Sequence, residues 1–506
     1  MKKESQPGMF KKLLVANRGE IAVRVLRTAR EMGIATVTVY SQADRKSPHV
    51  EIADEAVEIG PPAPLESYLN IERIIGAAKA TGAEAIHPGY GFLAENASFA
   101  KACAEANLVF VGPPSDALRR VGDKLEARKL ALSVGAPVIP GMTAVQPDIS
   151  AFKKEAQKIG YPVLIKATAG GGGKGMRVVS SPADLNAGLE AAMRESQTAF
   201  GDATVYLEKY IAEPRHIEMQ ILCDEHGNAV WLGERECSIQ RRHQKIIEES
   251  PSPVMTPELR QEMGQTAVKI AKAAGYRNAG TVEFLYEKGN YYFLEVNARL
   301  QVEHPVTELC TGLDLVALQL HIAAGEPIPF TQAQVSPRGH AVECRIYAED
   351  AAKDFLPSSG VIVALEEPQG PGIRCDSGLR EGLEISVHYD PILSKVITYG
   401  ENRSEAIRRM RRALSDYVIL GVATPISLLL DILRHPAFLS GELSTHFLDH
   451  HFADWKPPRP SETVQEMALV AAMLARAGVQ RGNGSLSPKA RPTPWQTIGR
   501  WEIAGS

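Results

Sequence analysis

The stretch TVEFLYEKGNYYFLEVNARLQVEHP, Thr281–Pro305, decides how the rest of the chain is read. Two strand-like segments, Ala279–Tyr286 and Tyr291–Asn297, flank Lys288-Gly289-Asn290, a short turn of the kind that closes a hairpin. Glu283 and Glu295 are equally far from Gly289, so the ladder should set them face to face, where like charges destabilise a sheet. A divalent cation between them would remove the conflict, and Asn297, two residues on, points to the same side. Hard oxygen donors of this kind suit Mg²⁺ or Mn²⁺. Arg299, Gln301, Glu303 and His304 follow at once. Arg299 can grip an anion in bidentate fashion, and Glu303 can act as a general base. His304 precedes Pro305, which restricts its backbone, and it reads as a structural hydrogen-bonding residue.

Upstream, YPVLIKATAGGGGKGMR (Tyr161–Arg177) is a short apolar strand ending near Lys166, then four glycines at 170–173, then Lys174. Glycines let backbone N–H groups approach phosphate oxygens and form an anion nest. No Gly-Lys-Ser/Thr opens a helix here and no GxGxxG is present, so neither a Walker loop nor a dinucleotide site is indicated. The pattern reads as a glycine-rich lid over ATP phosphates. GERECSIQRRHQKIIEESP (233–251) concentrates Arg235, Arg241, Arg242, His243 and Lys245. If Ile239–Ile247 is extended, Arg241, His243 and Lys245 share a face, suited to phosphate or bicarbonate; otherwise the run is a solvated strand with Glu234, Glu236, Glu248 and Glu249. Glu208-Lys209-Tyr210, at the end of a strand Thr204–Leu207, offers an edge for adenine.

With 506 residues, 44% hydrophobic and 23% charged, the chain has room for two to four domains of ordinary globular composition. A net charge of −4 argues against a nucleic-acid partner, and no apolar run is long enough to span a bilayer. The N-terminus lacks the apolar core of a secretory signal, and the six cysteines show no CxxC pair. A reducing cytoplasm is the expected location.

Lys12–Ala16, a helical pattern Ile21–Met32 and Ile34–Tyr40 make a βαβ unit, and the alternation continues to about Gly112, implying a parallel sheet. AIHPGYGFLAEN (85–96), with Tyr90, is placed where ligands bind at the carboxyl edge of such a sheet. The α/β chain divides into 9–121, a Rossmann-like domain; 122–335, a central domain with a lid lobe at about 137–210; 336–452, an α+β domain with a basic helix at Ser404–Leu414; and 453–506, a linker and extension. Within the last, 461–478 is a short apolar helix candidate.

VANRGEIAVRV, AIHPGYGFLAEN, KATAGGGGKGMRVV, ERECSIQRRHQK, EVNARLQVEHPVTE and GHAVECRIYAED occur in that order, and together they resemble the biotin carboxylases of the ATP-grasp superfamily from about Met9 to about Phe452. That family carboxylates biotin with ATP and bicarbonate. The resemblance implies ATP contacts at Lys124, Lys166, Gly172, Gly173, Glu208, Lys209, Ile211, His216 and His243. It implies Mg²⁺ or Mn²⁺ at Glu283, Glu295 and Asn297, and bicarbonate at Lys245, Arg299, Gln301 and Val302. Glu303 matches the base and Arg345 the group beside the biotin ureido oxygen, and Tyr90 is expected with them among the residues that bind bicarbonate or biotin. It also implies a homodimer. The Met-Lys-Met of biotin-bearing carriers is missing, so the substrate biotin is expected on a separate carrier protein, with a separate carboxyltransferase. PWQTIGRWEIAGS at 494–506 is similar to the start of the docking region of longer acyl-CoA carboxylase α chains, so 461–506 is expected to meet a partner protein of the complex. Two other readings are a different ATP-grasp ligase, against which the RRHQK and RLQVEHP runs with Arg345 speak, and a catalytically silent scaffold, against which the presence of Glu283, Lys245, Arg299 and Glu303 speaks.

Overall fold

The apolar run Lys12–Val15 becomes β1, the centre of a five-stranded parallel sheet. With β2 (Ala35–Tyr40), β3 (Glu55–Glu58), β4 (Ala85–His87) and β5 (Val109–Phe110), the order is β3-β2-β1-β4-β5. Leu13, Leu14 and Val15 are wholly buried, as a sheet covered on both faces requires. The helix between β1 and β2 runs Gly19–Glu31, and Gly33, at φ 75°, lets the chain turn out of it. In the computed structural model, residues 8–142, 149–168, 176–458, 462–463, 466–467 and 469–470 are described.

Arg18, before that helix, pins the N-terminal sheet through Asp44, with Nε and Nη2 each 2.7 Å from a carboxylate oxygen. Tyr68 donates to the same carboxylate at 2.7 Å. Burial pushes the Asp44 carboxyl up, but Arg18 outweighs it and holds it down at about 2. A depressed folded-state pKa contributes stability above the unfolded value of about 3.9 that is lost as pH falls through about 2. Asp44→Asn is therefore expected to lower neutral-pH stability by about 2–3 kcal/mol and to remove that acid-side loss, measured by denaturant unfolding across pH.

A small lobe follows, built on β6 (Val163–Ala167), β7 (Arg177–Val179) and β8 (Val205–Lys209), antiparallel in the order β7-β6-β8. Helices Ile149–Ile159 and Leu185–Phe200 belong to it, and its core holds Phe152, Ile165, Val179, Leu189 and Leu207. The glycine run, including Gly172 and Gly173, lies outside the described residues.

The largest sheet has eight antiparallel strands: β9 (Arg215–Cys223), β10 (Ala229–Arg241), β11 (Gln244–Ser250), β12 (Asn278–Glu287), β13 (Asn290–Asn297), β14 (His340–Tyr347), Ile373–Ser377 and Ile392–Gly400. Their order is β13-β12-β9-β10-β11-β14, then Ile392–Gly400 and Ile373–Ser377. Through the β11–β14 pairing the sheet runs unbroken across residue 335, where the sequence suggests a boundary.

Two local findings matter for the site. The β12–β13 hairpin does pair Glu283 with Glu295, but not by simple symmetry about Gly289. The turn is the two-residue Lys288-Gly289, both at positive φ, and a bulge between Glu283 and Phe284 shifts the register back. The other finding is a correction: Ile239–Ile247 is not one extended run. Arg242 and His243, at φ 47° and 68°, form a tight turn between β10 and β11, with Arg241 opposite Gln244.

Beyond the sheet, the basic helix spans Arg403–Asp416, past the expected end at Leu414, and three further short helices, Ile426–Ile432, Pro436–Ser440 and Phe447–His451, complete this part of the chain. The chain forms two units, Met1–Trp455 and Lys456–Ser506. In the second, Glu462, Thr463, Glu466, Met467, Leu469 and Val470 are helical, in line with the helix expected there; 471–506 lie outside the described residues. Among the described residues no single helix is long and apolar enough to cross a membrane.

Candidate active site

Pairing across four strands lines up Glu295 on β13, Glu283 on β12, Glu218 on β9 and Arg235 on β10. Three carboxylates side by side would repel, and the sheet supplies cations to hold them. Arg235, fully buried, pairs with Glu218 and donates to Gln220 at 2.7 Å and to Thr281 and Thr307 at 3.0 Å each. Lys245, from β11, reaches Glu218 at 2.6 Å, Glu283 at 2.8 Å and Glu303 at 2.7 Å. Burial lowers its ammonium pKa, but the three carboxylates outweigh that and hold it charged, well above the usual lysine range.

Glu303 has no exposed surface. Besides Lys245 it accepts from Nη2 of Arg345 on β14 at 2.9 Å, while Nε of Arg345 donates to Glu248 on β11. Burial raises the Glu303 carboxyl, yet Lys245, Arg345 and Arg235 together hold it well below the usual carboxylate range. Arg299 braces the next turn of chain: it donates at 2.9 Å to each of Glu95, Asn297 and Gln301.

Lys245, Glu283, Glu295, Arg299 and Arg345 floor a cavity of about 480 Å³ between the large sheet and the small lobe, a volume within the range of small-molecule sites. Lys124, Lys166, Lys209, Ile211, His216, His243, Lys245, Glu283, Glu295, Asn297, Arg299, Gln301, Val302 and Arg345 line it, as the sequence reading requires. Lys166 and Arg128 converge on Glu208, at 2.7 Å and 3.0 Å, so Glu208 sits behind the wall and holds Lys166 in place. Glu303 likewise lies beneath Lys245 and Arg345 and is not itself on the wall.

Tyr90 does not line the cavity; its ring stands 5.9 Å from the Lys395 ammonium, and its buried hydroxyl has no partner among the described residues. The 85–96 loop reaches the site instead through Glu95, which binds Arg299 and the backbone N–H of Ala298. The five-donor cluster also divides. His243 and Lys245 face the cavity, Arg241 turns to Glu349 and Phe355, exposed Arg242 pairs with Asp354, and Arg235 is committed to Glu218. The interleaved glutamates are not solvated: Glu234, Glu236, Glu248 and Glu249 are all buried. His304 is structural, its Nδ1 2.8 Å from the Gln301 carbonyl.

The sequence reading missed Glu218, Arg128, Glu95 and the cavity's apolar rim of Ile139, Leu164, Met176, Tyr206, Leu285 and Leu294. Leu285 was within reach of it, two residues from Glu283 and so on the same face. Thr445 and His446 come from the distant C-terminal part with no local signal; His446 Nε2 lies 3.4 Å from the Tyr210 hydroxyl.

The cation expected at Glu283, Glu295 and Asn297 can be tested on the donors themselves. All three are oxygen-bearing cavity residues, and the Glu295 carboxylate makes no hydrogen bond or ion pair among the described residues. Burial and Glu283 push its carboxyl up, and the nearby ammonium groups of Lys124 and Lys166 only partly offset them. The donor set fits a hard divalent ion. Glu283 also lies within 4.8 Å of His216 and Glu218, a grouping the sequence did not suggest.

Three family models match the chain in succession: the biotin carboxylase N-terminal domain at 9–118, the carbamoyl-phosphate synthase L chain ATP binding domain at 123–331, and the biotin carboxylase C-terminal domain at 343–450. Biotin carboxylase 1 of Bacillus subtilis is 52% identical over 443 residues, covering 87% of this chain and 98% of that one. The chain belongs to the biotin carboxylase family. A pyruvate carboxylase subunit of Methanothermobacter thermautotrophicus is 54% identical over 443 residues, 88% of this chain and 90% of its own. Among solved structures, the biotin carboxylase domain dimer of Hydrogenobacter thermophilus 2-oxoglutarate carboxylase, with MgADP, ADP and bicarbonate, superposes with a TM-score of 0.86 at 48% identity, covering 88% of this chain and 98% of that one. The architecture is that of an ATP-grasp biotin carboxylase, and the chain is an ATP-dependent enzyme of that kind.

Proposed function

We propose that the chain carboxylates N1′ of biotin borne on a separate carrier protein, using ATP and bicarbonate, as the first half-reaction of an acyl-CoA or related carboxylase. The observation that carries this reading is the convergence of Lys245 and Arg345 on Glu303 at the β11–β14 seam. A base, a cation for bicarbonate and a cation for the ureido oxygen meet at one carboxylate.

In this reading Lys245 and Arg299, with Gln301 and the Val302 backbone, hold bicarbonate, while Glu303 takes its proton. The bicarbonate oxygen attacks the γ-phosphorus and ADP leaves. Lys124, Lys166, Lys209, Ile211, His216 and His243 hold the nucleotide, and Glu208 orients Lys166. Glu283, Glu295 and Asn297 would hold Mg²⁺ or Mn²⁺, which supplies charge neutralisation for phosphate oxygens when bound. Gly172 and Gly173 belong to the expected lid. The carboxyphosphate formed breaks to CO₂ and phosphate; phosphate takes the N1′ proton, Arg345 steadies the ureido oxygen as charge develops there, and N1′ adds to CO₂.

The low proton affinity of Glu303 fits the same scheme. Of the three cations that hold it ionised, Arg235 stays on Glu218, while Lys245 and Arg345 are those that turn to bicarbonate and biotin. As each is drawn away, burial is left to raise the carboxyl and strengthen it as a base.

The divisions at 9–121, 122–335, 336–452 and 453–506 are kept as functional units, with 461–506 meeting a partner protein of the complex. The reading also includes a homodimer and a cytoplasmic location; the six cysteines, all free, are consistent with that location. The test is phosphate release with Mg²⁺, ATP and bicarbonate, with and without free biotin. Biotin should stimulate turnover, and Arg345→Ala should lower the biotin-dependent kcat/KM by ~10²-fold or more. Turnover indifferent to biotin in both proteins would favour another acceptor.

A further inference from the structure

Arg345 is gripped from two sides, and the proposed reaction uses only the front grip. At the front, Nη2 meets Glu303 at 2.9 Å. At the back, Nε donates to Glu248, which is fully buried on β11. Directly opposite Glu248, on β14, stands Glu343, also fully buried. Glu343 is two residues before Arg345 on the same strand, so both project from one face.

Neither oxygen of Glu343, nor Oε2 of Glu248, has a hydrogen-bond partner among the described residues. The charged groups around Glu343 are Glu248 on β11, Arg345 on its own strand, Lys395 on Ile392–Gly400, and Glu303 ahead of the helix His304–Thr311. The cations are spoken for. Arg345 pairs with Glu248 and Glu303, and Lys395, opposite Arg345, donates to the Val302 carbonyl at 2.8 Å and faces Glu20 at 3.4 Å and Asp376 at 3.8 Å. Two buried carboxylates directly opposite each other, one with no cation paired to it, cannot both stay ionised without a large desolvation and repulsion cost.

We infer that Glu248 is the positioning residue that holds Arg345 for the biotin half of the reaction, and that Glu343 is carried as a neutral carboxylic acid, so that Glu248 alone supplies the negative charge behind the guanidinium. One carboxylate on Nε fixes the plane of the guanidinium while leaving its front free to exchange Glu303 for substrate. A second negative charge at Glu343 would pull the side chain back into the sheet. Burial acts in the same direction at Glu343, raising its carboxyl well above the usual carboxylate range, while at Glu248 the guanidinium of Arg345 opposes the rise and favours the ionised form. The inference rests on the proposed role of Arg345 toward biotin.

The test compares the full chain with Glu248→Gln, Glu248→Asp and Glu343→Gln in steady-state turnover with Mg²⁺, ATP, bicarbonate and free biotin. For Glu248→Gln the KM for biotin should rise about tenfold or more while the KM for ATP stays within about twofold. Glu248→Asp, with the charge one methylene short, should be defective in the same sense. Glu343→Gln, an isostere of the neutral acid, should keep both KM values within about twofold and lose one infrared carbonyl band of a buried protonated carboxylic acid. An unchanged biotin KM in both Glu248 variants would overturn the positioning role. A biotin defect in Glu343→Gln, or a carboxylic-acid band unchanged by that substitution, would overturn the neutral-acid assignment. A wild-type chain that biotin does not stimulate would remove the reading of Arg345 itself, separately from the behaviour of any variant.

Discussion

Glu303→Gln is expected to lower kcat for bicarbonate-dependent ATP cleavage by ~10²–10⁴-fold, with little change in the KM for ATP. The amide keeps the shape of the side chain and can still accept hydrogen bonds, but it cannot take the bicarbonate proton. The fold should survive, because each cation that loses Glu303 keeps another carboxylate: Lys245 retains Glu218 and Glu283, and Arg345 retains Glu248. The loss should therefore fall on kcat rather than on the unfolding midpoint. Unchanged bicarbonate-dependent cleavage in this variant would remove Glu303 from the chemistry.

Lys245→Met should be the reverse case, damaging stability and activity together. Its ammonium lies within 2.8 Å of three carboxylates, two of which, Glu218 and Glu303, have no exposed surface. Removing the cation leaves buried negative charge uncompensated, at a cost of about 3–5 kcal/mol. The midpoint of denaturant unfolding should fall accordingly. Bicarbonate-dependent ATP cleavage should fall by ~10²-fold or more, since the same ammonium is assigned to bicarbonate. A stable Lys245→Met protein would mean that Arg235 and Arg345 suffice to neutralise the row.

The parts of the site legible in the sequence were those set by short-range periodicity. Glu283 faces Glu295 as the hairpin count requires, even though the turn is one residue shorter than expected and the bulge makes up the difference. The first βαβ unit was readable for the same reason: apolar runs and a helical repeat, closed by Gly33. The turn at Arg242-His243 was not, because it uses positive φ at two residues that carry none of the usual Gly or Asn signals.

Contacts made across strands were the hardest to see. Glu218 and Glu248 look like ordinary strand glutamates until β9 is set beside β10 and β12, and β11 beside β14. Their burial follows from partners 17 and 97 residues away, Arg235 and Arg345. Tyr90 shows the opposite failure. Its motif does reach the site, but the residue that delivers the contact is Glu95, immediately before the helix that Asn96 caps.

The central claim is tested most directly by following radiolabelled bicarbonate in the purified chain supplied with Mg²⁺, ATP and a biotinylated carrier domain. The account requires label on the carrier's biotin, dependent on ATP, and formed at least ~10²-fold more slowly with Glu303→Gln or Arg345→Ala. ATP cleaved in the presence of bicarbonate and carrier, with no label reaching biotin, would contradict it.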